Sequence, residues 1–191
     1  MNIALQITIL RILLIPVFIG LAIYYGESVK AGAADESLRL WTAAVFGFAA
    51  LSDALDGWVA RRFKMQTRLG AILDPLADKL LLLSAIIVLS FTAWRQHFPL
   101  WFPTLIIFKD VASIGAAFLI DHIAGKCEIQ AHWTGKACTV SQIVAVLWIL
   151  LDVTWPSLIW PVLAAAFFAL WSGGLYLIEG ARQIKAAGHH H

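Results

Sequence analysis

The chain has 191 residues, 61% of them hydrophobic and 14% charged, with a mean hydropathy of +0.81. Soluble domains run at about 45–50% apolar and about 25% charged, so this composition excludes an ordinary soluble globule, a disordered chain and a disulfide scaffold. The formal net charge of +2 says little by itself, because in a membrane protein the position of each charge matters more than the sum; no nucleic-acid partner is expected.

A membrane-spanning helix needs about 20 predominantly apolar residues. Six such stretches occur in chain order. They run from about Ile3 to Tyr25, from near Leu40 into the 50s, from about Leu69 to Phe91, from Pro99 to Ile120, from Ala137 to Leu151 and from Pro156 to Ile178. The breaks carry Gly, Pro and charge, as in Gly26-Glu27-Ser28, Ala34-Asp35-Glu36-Ser37 and the turn Trp155-Pro156-Ser157. The first stretch is too long for a signal peptide, lacks a basic start and holds Arg11. The pattern predicts an all-α integral membrane protein with six transmembrane helices in one domain, 1–187. Gly188-His189-His190-His191 is read as the remnant of a purification tag and set aside. Cys127 and Cys138 match no metal spacing and no disulfide framework, and are read as free thiols.

Orientation follows from the cations between the stretches. Arg61, Arg62, Lys64 and Arg68 lie in the 2–3 connection, Lys126 and Lys136 in the 4–5 connection, and Arg182 and Lys185 in the tail. With Arg11 they outnumber Lys30, Arg39 and Arg95 on the other side. Both termini are therefore expected in the cytoplasm, where reduced thiols also fit. His122 and His132 are expected in the 4–5 connection, in water, and the nine Trp are read as interfacial anchors.

The informative residues are those a spanning helix should not contain. Asp53 and Asp56 close the second stretch, and Asp74 and Asp78 open the third. A charge at the bilayer centre costs at least about 2.5–3.5 kcal/mol on insertion scales, so these groups must pair with cations or line a wet cavity. Spacings of three and four put each pair on one helix face. Gly57 and Ala60 continue the face of Asp53 and Asp56 and leave room for a ligand or a close helix. Carboxylates without His or Cys among them suit Mg²⁺ or Mn²⁺ better than zinc, at a polar site near the cytoplasmic surface. The plainer alternative is a set of ion pairs to Arg61, Arg62, Arg68 and Lys79.

The pattern Asp53-x2-Asp56-Gly57-x2-Ala60-Arg61-x8-Gly70-x3-Asp74-x3-Asp78 resembles, gap for gap, the signature of the CDP-alcohol phosphotransferase family. The six-helix layout resembles it too. The resemblance implies transfer of a substituted phosphate from a CDP-linked donor to an alcohol, with release of CMP. It implies that Asp53, Asp56, Asp74 and Asp78 hold two divalent ions (Mg²⁺ or Mn²⁺) and that Asp78 is also the catalytic base. Gly57, Ala60, Arg61 and Gly70 are implied to form the CDP pocket, with Arg61 near the diphosphate. The donor is expected to be CDP-diacylglycerol, the setting the bacterial inner membrane with its lipids and a cytoplasm-facing site, and the assembly a homodimer.

Thr8-Ile9-Leu10-Arg11 through Phe18, and Gly135-Lys136 with Thr139 and Gln142, resemble the phosphatidylglycerophosphate synthase and cardiolipin synthase branches of that family. Many phosphatidylglycerophosphate synthases carry a second Lys at the position of Cys138. Glycerol 3-phosphate is the first-choice acceptor; phosphatidylglycerol and inositol phosphate follow. Lys136, Lys109 and Arg11 are candidates for an acceptor phosphate. Each has a plainer alternative: positive-inside anchor for Lys136, internal pair with Asp110 for Lys109, and snorkelling to the interface for Arg11. Outside this class, acidic groups in apolar helices also suit a cation transporter. Against transport, the sequence shows no inverted repeat, and the carboxylates lie to one side of the midplane.

Overall fold

The computed structural model describes the backbone of residues 3–63, 68–124 and 133–187, and the side chains of residues 8–52, 77–115, 133–175 and 178. Among the described residues the protein is all-helical. Its elements are α1 (Ile3–Lys30), α2 (Glu36–Phe63), α3 (Arg68–Phe91), α4 (Trp101–Ala124), α5 (Trp133–Leu150) and α6 (Ile159–Ala187). Two helical stretches, Thr8–Lys30 and Trp133–Leu150, are long and apolar enough to cross a membrane, and Ile159–Leu175 forms a shorter apolar one. The tag-like residues 188–191 lie outside the described residues, as do Lys64, Lys126, Cys127 and His132.

The six helices fall on the six predicted stretches, but several ends differ. Helix α1 continues through Gly26-Glu27-Ser28, which was expected to break it. Ser28 Oγ donates back to the Tyr25 carbonyl at 2.7 Å, and Lys30 Nζ pairs with Glu27 at 2.7 Å, both contacts that a helix makes readily. The end comes at Gly32, whose φ of 74° is left-handed. There Gly32 N–H bonds to Val29 O and Ala33 N–H to Ser28 O, which is a Schellman cap. Helix α2 begins earlier than expected because Asp35 caps it: its Oδ1 accepts from the Ser37 amide at 2.9 Å and the Ser37 hydroxyl at 2.5 Å. Those same bonds hold the Asp35 carboxyl below the usual carboxylate range.

The other end of α2 is also longer than predicted. The run Ser52–Gly57 does not close the helix, which continues through Ala60 and Arg61 to Phe63. Asp and Gly interrupt helices chiefly where water or a side chain can replace the backbone bond, and apolar surroundings remove the first of these. Helix α5 starts at Trp133, so Lys136 lies in its first turn and not in a connection. His122 likewise falls within α4. Helix α6 runs nine residues past Ile178, because Glu179 to Ala187 is rich in Ala, Arg, Gln and Lys, which keep a helix going after the apolar stretch stops.

The chain divides into two compact units, Met1–Pro99 with Ala145–Leu158, and Leu100–Val144 with Ile159–His191. In the first, α1 packs against both α2 and α3, and α2 and α3 touch each other over a shorter stretch. Phe18, Ala22 and Tyr25 of α1, Phe46 and Ala49 of α2, and Ala77, Leu81, Ala85 and Leu89 of α3 are buried there. Phe18 meets Phe46 with ring centroids 5.6 Å apart. The chain after α3 folds inward: Trp94 is buried against Tyr25, 4.4 Å between centroids, and donates its indole N–H to the Ala22 carbonyl at 3.1 Å. Gly26 admits this segment, since a Cβ at that position would lie 3.1 Å from Thr92 Cβ and 3.3 Å from the Ala93 nitrogen.

Charge fastens the same end. Glu36 accepts from Arg39 Nε and Arg95 Nη2, each at 2.7 Å, and Arg95 Nη1 reaches Asp152 at 2.9 Å. Arg39 Nη1 donates to the carbonyl of Leu150, the last residue of α5, at 3.3 Å, where the helix terminus attracts a cation. Gln96 Nε2 donates to Val153 O at 2.9 Å. Asp152 occupies the left-handed cap position of α5, with φ 54°, and Val153 N–H closes the turn on Trp148 O. Burial opposes the Asp152 charge, but the hydrogen bonds from Arg95 and Gln96 outweigh it and hold the carboxyl below its usual range. The same bond to Asp152, before other contributions, raises the Arg95 guanidinium. The start of α2 and the segment after α3 therefore share one end of the unit, so α2 and α3 run in opposite directions. In the second unit α4 packs against α6.

Candidate active site

The predicted acidic residues fall on two consecutive, antiparallel helices. Asp53, Asp56, Gly57, Ala60 and Arg61 lie in the C-terminal half of α2, and Gly70, Asp74 and Asp78 in the N-terminal half of α3. Residues 64–67 connect them, and four residues reach at most about 18 Å between Phe63 and Arg68. Measured from that end, Asp56 lies seven residues into α2 and Asp74 six into α3, about 10 and 9 Å along the axes. Asp53 and Asp78 each lie ten residues in, about 15 Å. The two pairs are thus level, one helical turn apart. Glu27, Asp35, Glu36 and Asp152 lie at the other end of the unit.

Helix α1 completes this level. Arg11 lies 19 residues before Lys30, about 28 Å from the distal end of the unit. From Glu36 to Asp53 and Asp56 is about 26 and 30 Å, which brackets Arg11. Arg11 is 1% exposed, and Thr8, one turn before it on the same face, is fully buried. Snorkelling to an interface is therefore not what this side chain does. An isolated Arg in an apolar helix reads from sequence as a snorkeller, so the burial of Arg11 and Thr8 emerges only from the fold.

The other two candidate cations lie in the second unit. Lys109 Nζ pairs with Asp110 at 2.8 Å, both mostly buried, which matches the internal-pair alternative. Its Cγ lies 3.2 Å from where a Cβ on Gly173 would be, so Gly173 lets α6 approach the Lys109 stem. Lys109 borders a cavity of about 250 Å³ between α4 and α6, lined chiefly by Leu105, Phe108, Ala112, Ala169 and Leu170. Lys136 is exposed. It projects from the face of α5 opposite Thr134, Cys138 and Gln142, a buried polar stripe with one residue per turn. Gln142 Nε2 donates to Cys138 Sγ at 3.3 Å. The stripe was legible in their spacing of four, to which Thr134 adds one more turn.

Among the described residues no three His, Cys, Asp or Glu side chains gather as metal ligands; the side chains of Asp53, Asp56 and Asp74 are outside that set. The donor set expected from the sequence consists of carboxylates on two helix segments at matching depth, with no His or Cys in either run. That chemistry fits hard divalent ions.

An all-helical fold with acidic pairs at matching depths on consecutive helices is the arrangement that the family resemblance implies. Residues 1–172 match the model of the CDP-alcohol phosphatidyltransferase family. The chain belongs to that family, and it is a membrane protein of phospholipid biosynthesis. It is 32% identical to the CDP-diacylglycerol--glycerol-3-phosphate 3-phosphatidyltransferase of Escherichia coli (strain K12), over 92% of this chain and 93% of that protein. The protein of the same name from Salmonella typhimurium is 30% identical over the same shares. The "Probable phosphatidylglycerophosphate synthase" of Mycobacterium tuberculosis (H37Rv) is 36% identical over 76% of this chain and 64% of that protein. Membership of a transferase family removes the transporter alternative.

Proposed function

We propose that the protein transfers the phosphatidyl group of CDP-diacylglycerol to glycerol 3-phosphate and releases CMP. The observation that carries this is the levelling of Asp53 with Asp78 and of Asp56 with Asp74 on antiparallel helices. The relatives that it matches over 93% of their length are phosphatidyltransferases from CDP-diacylglycerol to glycerol 3-phosphate, which supports this donor and acceptor. In the reaction, the acceptor hydroxyl oxygen forms a bond to the phosphatidyl phosphorus, the bond from that phosphorus to CMP breaks, and the hydroxyl proton passes to Asp78. A carboxylate in a poorly hydrated site suits that transfer. Asp53, Asp56, Asp74 and Asp78 would hold two divalent ions, which when bound supply charge neutralisation at the diphosphate. Gly57, Ala60 and Gly70 leave room for the nucleotide against the helices, and Arg61 pairs with the diphosphate.

The working protein is one six-helix transmembrane domain, 1–187, a reading supported by a family match that runs through both compact units. The excess of Lys and Arg near the α2–α3 connection favours cytoplasmic termini and a site facing the cytoplasm of the bacterial inner membrane. There a lipid donor keeps its acyl chains in the bilayer while its nucleotide reaches the site. The family resemblance also implies a homodimer. The test is an acceptor panel: purified protein with Mg²⁺ or Mn²⁺, labelled CDP-diacylglycerol, and glycerol 3-phosphate, phosphatidylglycerol or inositol phosphate in turn. Phosphatidylglycerophosphate as the lipid product, identified by thin-layer chromatography, is the expected result. Product with either other acceptor alone would displace the glycerol 3-phosphate assignment.

A further inference from the structure

A guanidinium at 1% exposure in an apolar helix must have its charge met, because an uncompensated buried charge costs several kcal/mol. The first unit contains eight carboxylates: Glu27, Asp35, Glu36, Asp53, Asp56, Asp74, Asp78 and Asp152. Four of them are at the distal end, where Glu36, Asp152 and Glu27 already meet Arg39, Arg95 and Lys30. Glu27 itself is 16 residues from Arg11 along α1, about 24 Å away. The other four are the level pairs of α2 and α3, the two helices against which α1 packs. Arg11 lies between the depths of Asp53 and Asp56.

We infer that Arg11 is the fixed counter-charge of the acidic cluster, a positioning residue that neutralises one of these carboxylates and holds it in place before any metal or substrate arrives. Four carboxylates on two level helix faces repel one another, and a buried guanidinium is the one permanent cation that α1 brings to that level. Thr8, buried on the same face, extends the polar strip. Arginine suits this better than lysine, because its planar fork can bridge carboxylate oxygens and does not lose its proton. The role differs from binding the acceptor phosphate, which would leave the metal-free protein indifferent to Arg11. It rests on the reading of Asp53, Asp56, Asp74 and Asp78 as one cluster.

The test is a double-mutant cycle read as the melting temperature of metal-free protein in detergent. Arg11→Met is combined in turn with Asp53→Asn, Asp56→Asn, Asp74→Asn and Asp78→Asn. Arg11→Met alone should melt several degrees below wild type, and Arg11→Lys should recover part of the loss. At least one Asp→Asn partner should restore most of it by removing the stranded charge. Addition of Mn²⁺ should raise the melting temperature of Arg11→Met by more than it raises that of wild type, because the ions then meet an unneutralised cluster. If Arg11→Met cannot be purified, rescue of expression by one of the four double variants carries the same weight. Additive losses in all four cycles, or an equal Mn²⁺ shift in Arg11→Met and wild type, would overturn the proposal. So would an Arg11→Met protein of wild-type stability with only a raised KM for glycerol 3-phosphate. The metal-site reading fails separately, if the single Asp→Asn variants keep wild-type transfer.

Discussion

Two glycines of one helix should respond oppositely to the same substitution. Gly20 and Gly26 both lie inside α1. A Cβ on Gly20 meets nothing within 4 Å, whereas one on Gly26 lies 3.1 Å from Thr92 Cβ and 3.3 Å from the backbone nitrogen of Ala93. Alanine in a helix interior is favoured over glycine by about 0.5–1 kcal/mol, and Gly20→Ala should gain that amount. Gly26→Ala gains it too but must push a backbone segment away from a contact several tenths of an ångström too short, at about 1–3 kcal/mol. The net expectation is a loss of up to about 2.5 kcal/mol. The displaced segment carries Trp94 and leads to Arg95, so the cost cannot be confined to one flexible side chain. Thermal unfolding of the purified variants in one detergent gives the comparison. If Gly26→Ala is as stable as Gly20→Ala, the close packing of residues 92–94 on α1 is wrong.

Three further outcomes follow from the same end of the protein and from the site. Trp94→Phe keeps a ring against Tyr25 but loses the indole bond to Ala22, and should lower stability by about 1–2 kcal/mol, whereas Trp155→Phe, 86% exposed, should stay within about 0.5. The Asp152 carboxyl is held below its usual range, so its contribution is full above about pH 4 and is lost as pH falls through the lower folded value. The melting-temperature gap between wild type and Asp152→Asn should therefore be present at pH 7 and narrow below pH 4. Since Arg95 is half exposed, the gap should be small. A gap that persists unchanged into acid would contradict the pairing. Asp78→Asn should abolish transfer while largely sparing CDP binding, measured by nucleotide protection against thermal unfolding. Equal turnover in that variant would remove Asp78 as the base.

The six described helices were legible because each coincides with a long, largely apolar run. Their ends were not. Gly26 read as a break and Asp53 and Asp56 as the close of the second stretch, yet all lie within helices, Gly26 because the chain after α3 needs the space and the acidic residues because the apolar stretch resumes after them. The acidic motif was legible residue by residue, since Asp in an apolar helix stands out against its neighbours. What no spacing could provide was the level of Asp53 with Asp78, which depends on α2 and α3 running antiparallel. Nor could spacing show the clasp from Arg95 to Asp152, whose partners are 57 residues apart. Arg11 is the sharpest case. One cation in an apolar helix fits a snorkeller and a buried counter-charge equally well, and only the packing of α1 on both acid-bearing helices separates them.

The level carboxylates of α2 and α3 carry the proposed CMP-releasing transfer. Its most direct test is CMP release by purified protein given CDP-diacylglycerol, glycerol 3-phosphate and Mg²⁺ or Mn²⁺, with Asp56→Asn in parallel. The expected result is CMP in step with a new phosphatidyl lipid from the wild type, none after chelation of the metal, and none from Asp56→Asn. No CMP from the wild type with any alcohol acceptor, or the same release from Asp56→Asn, would contradict it.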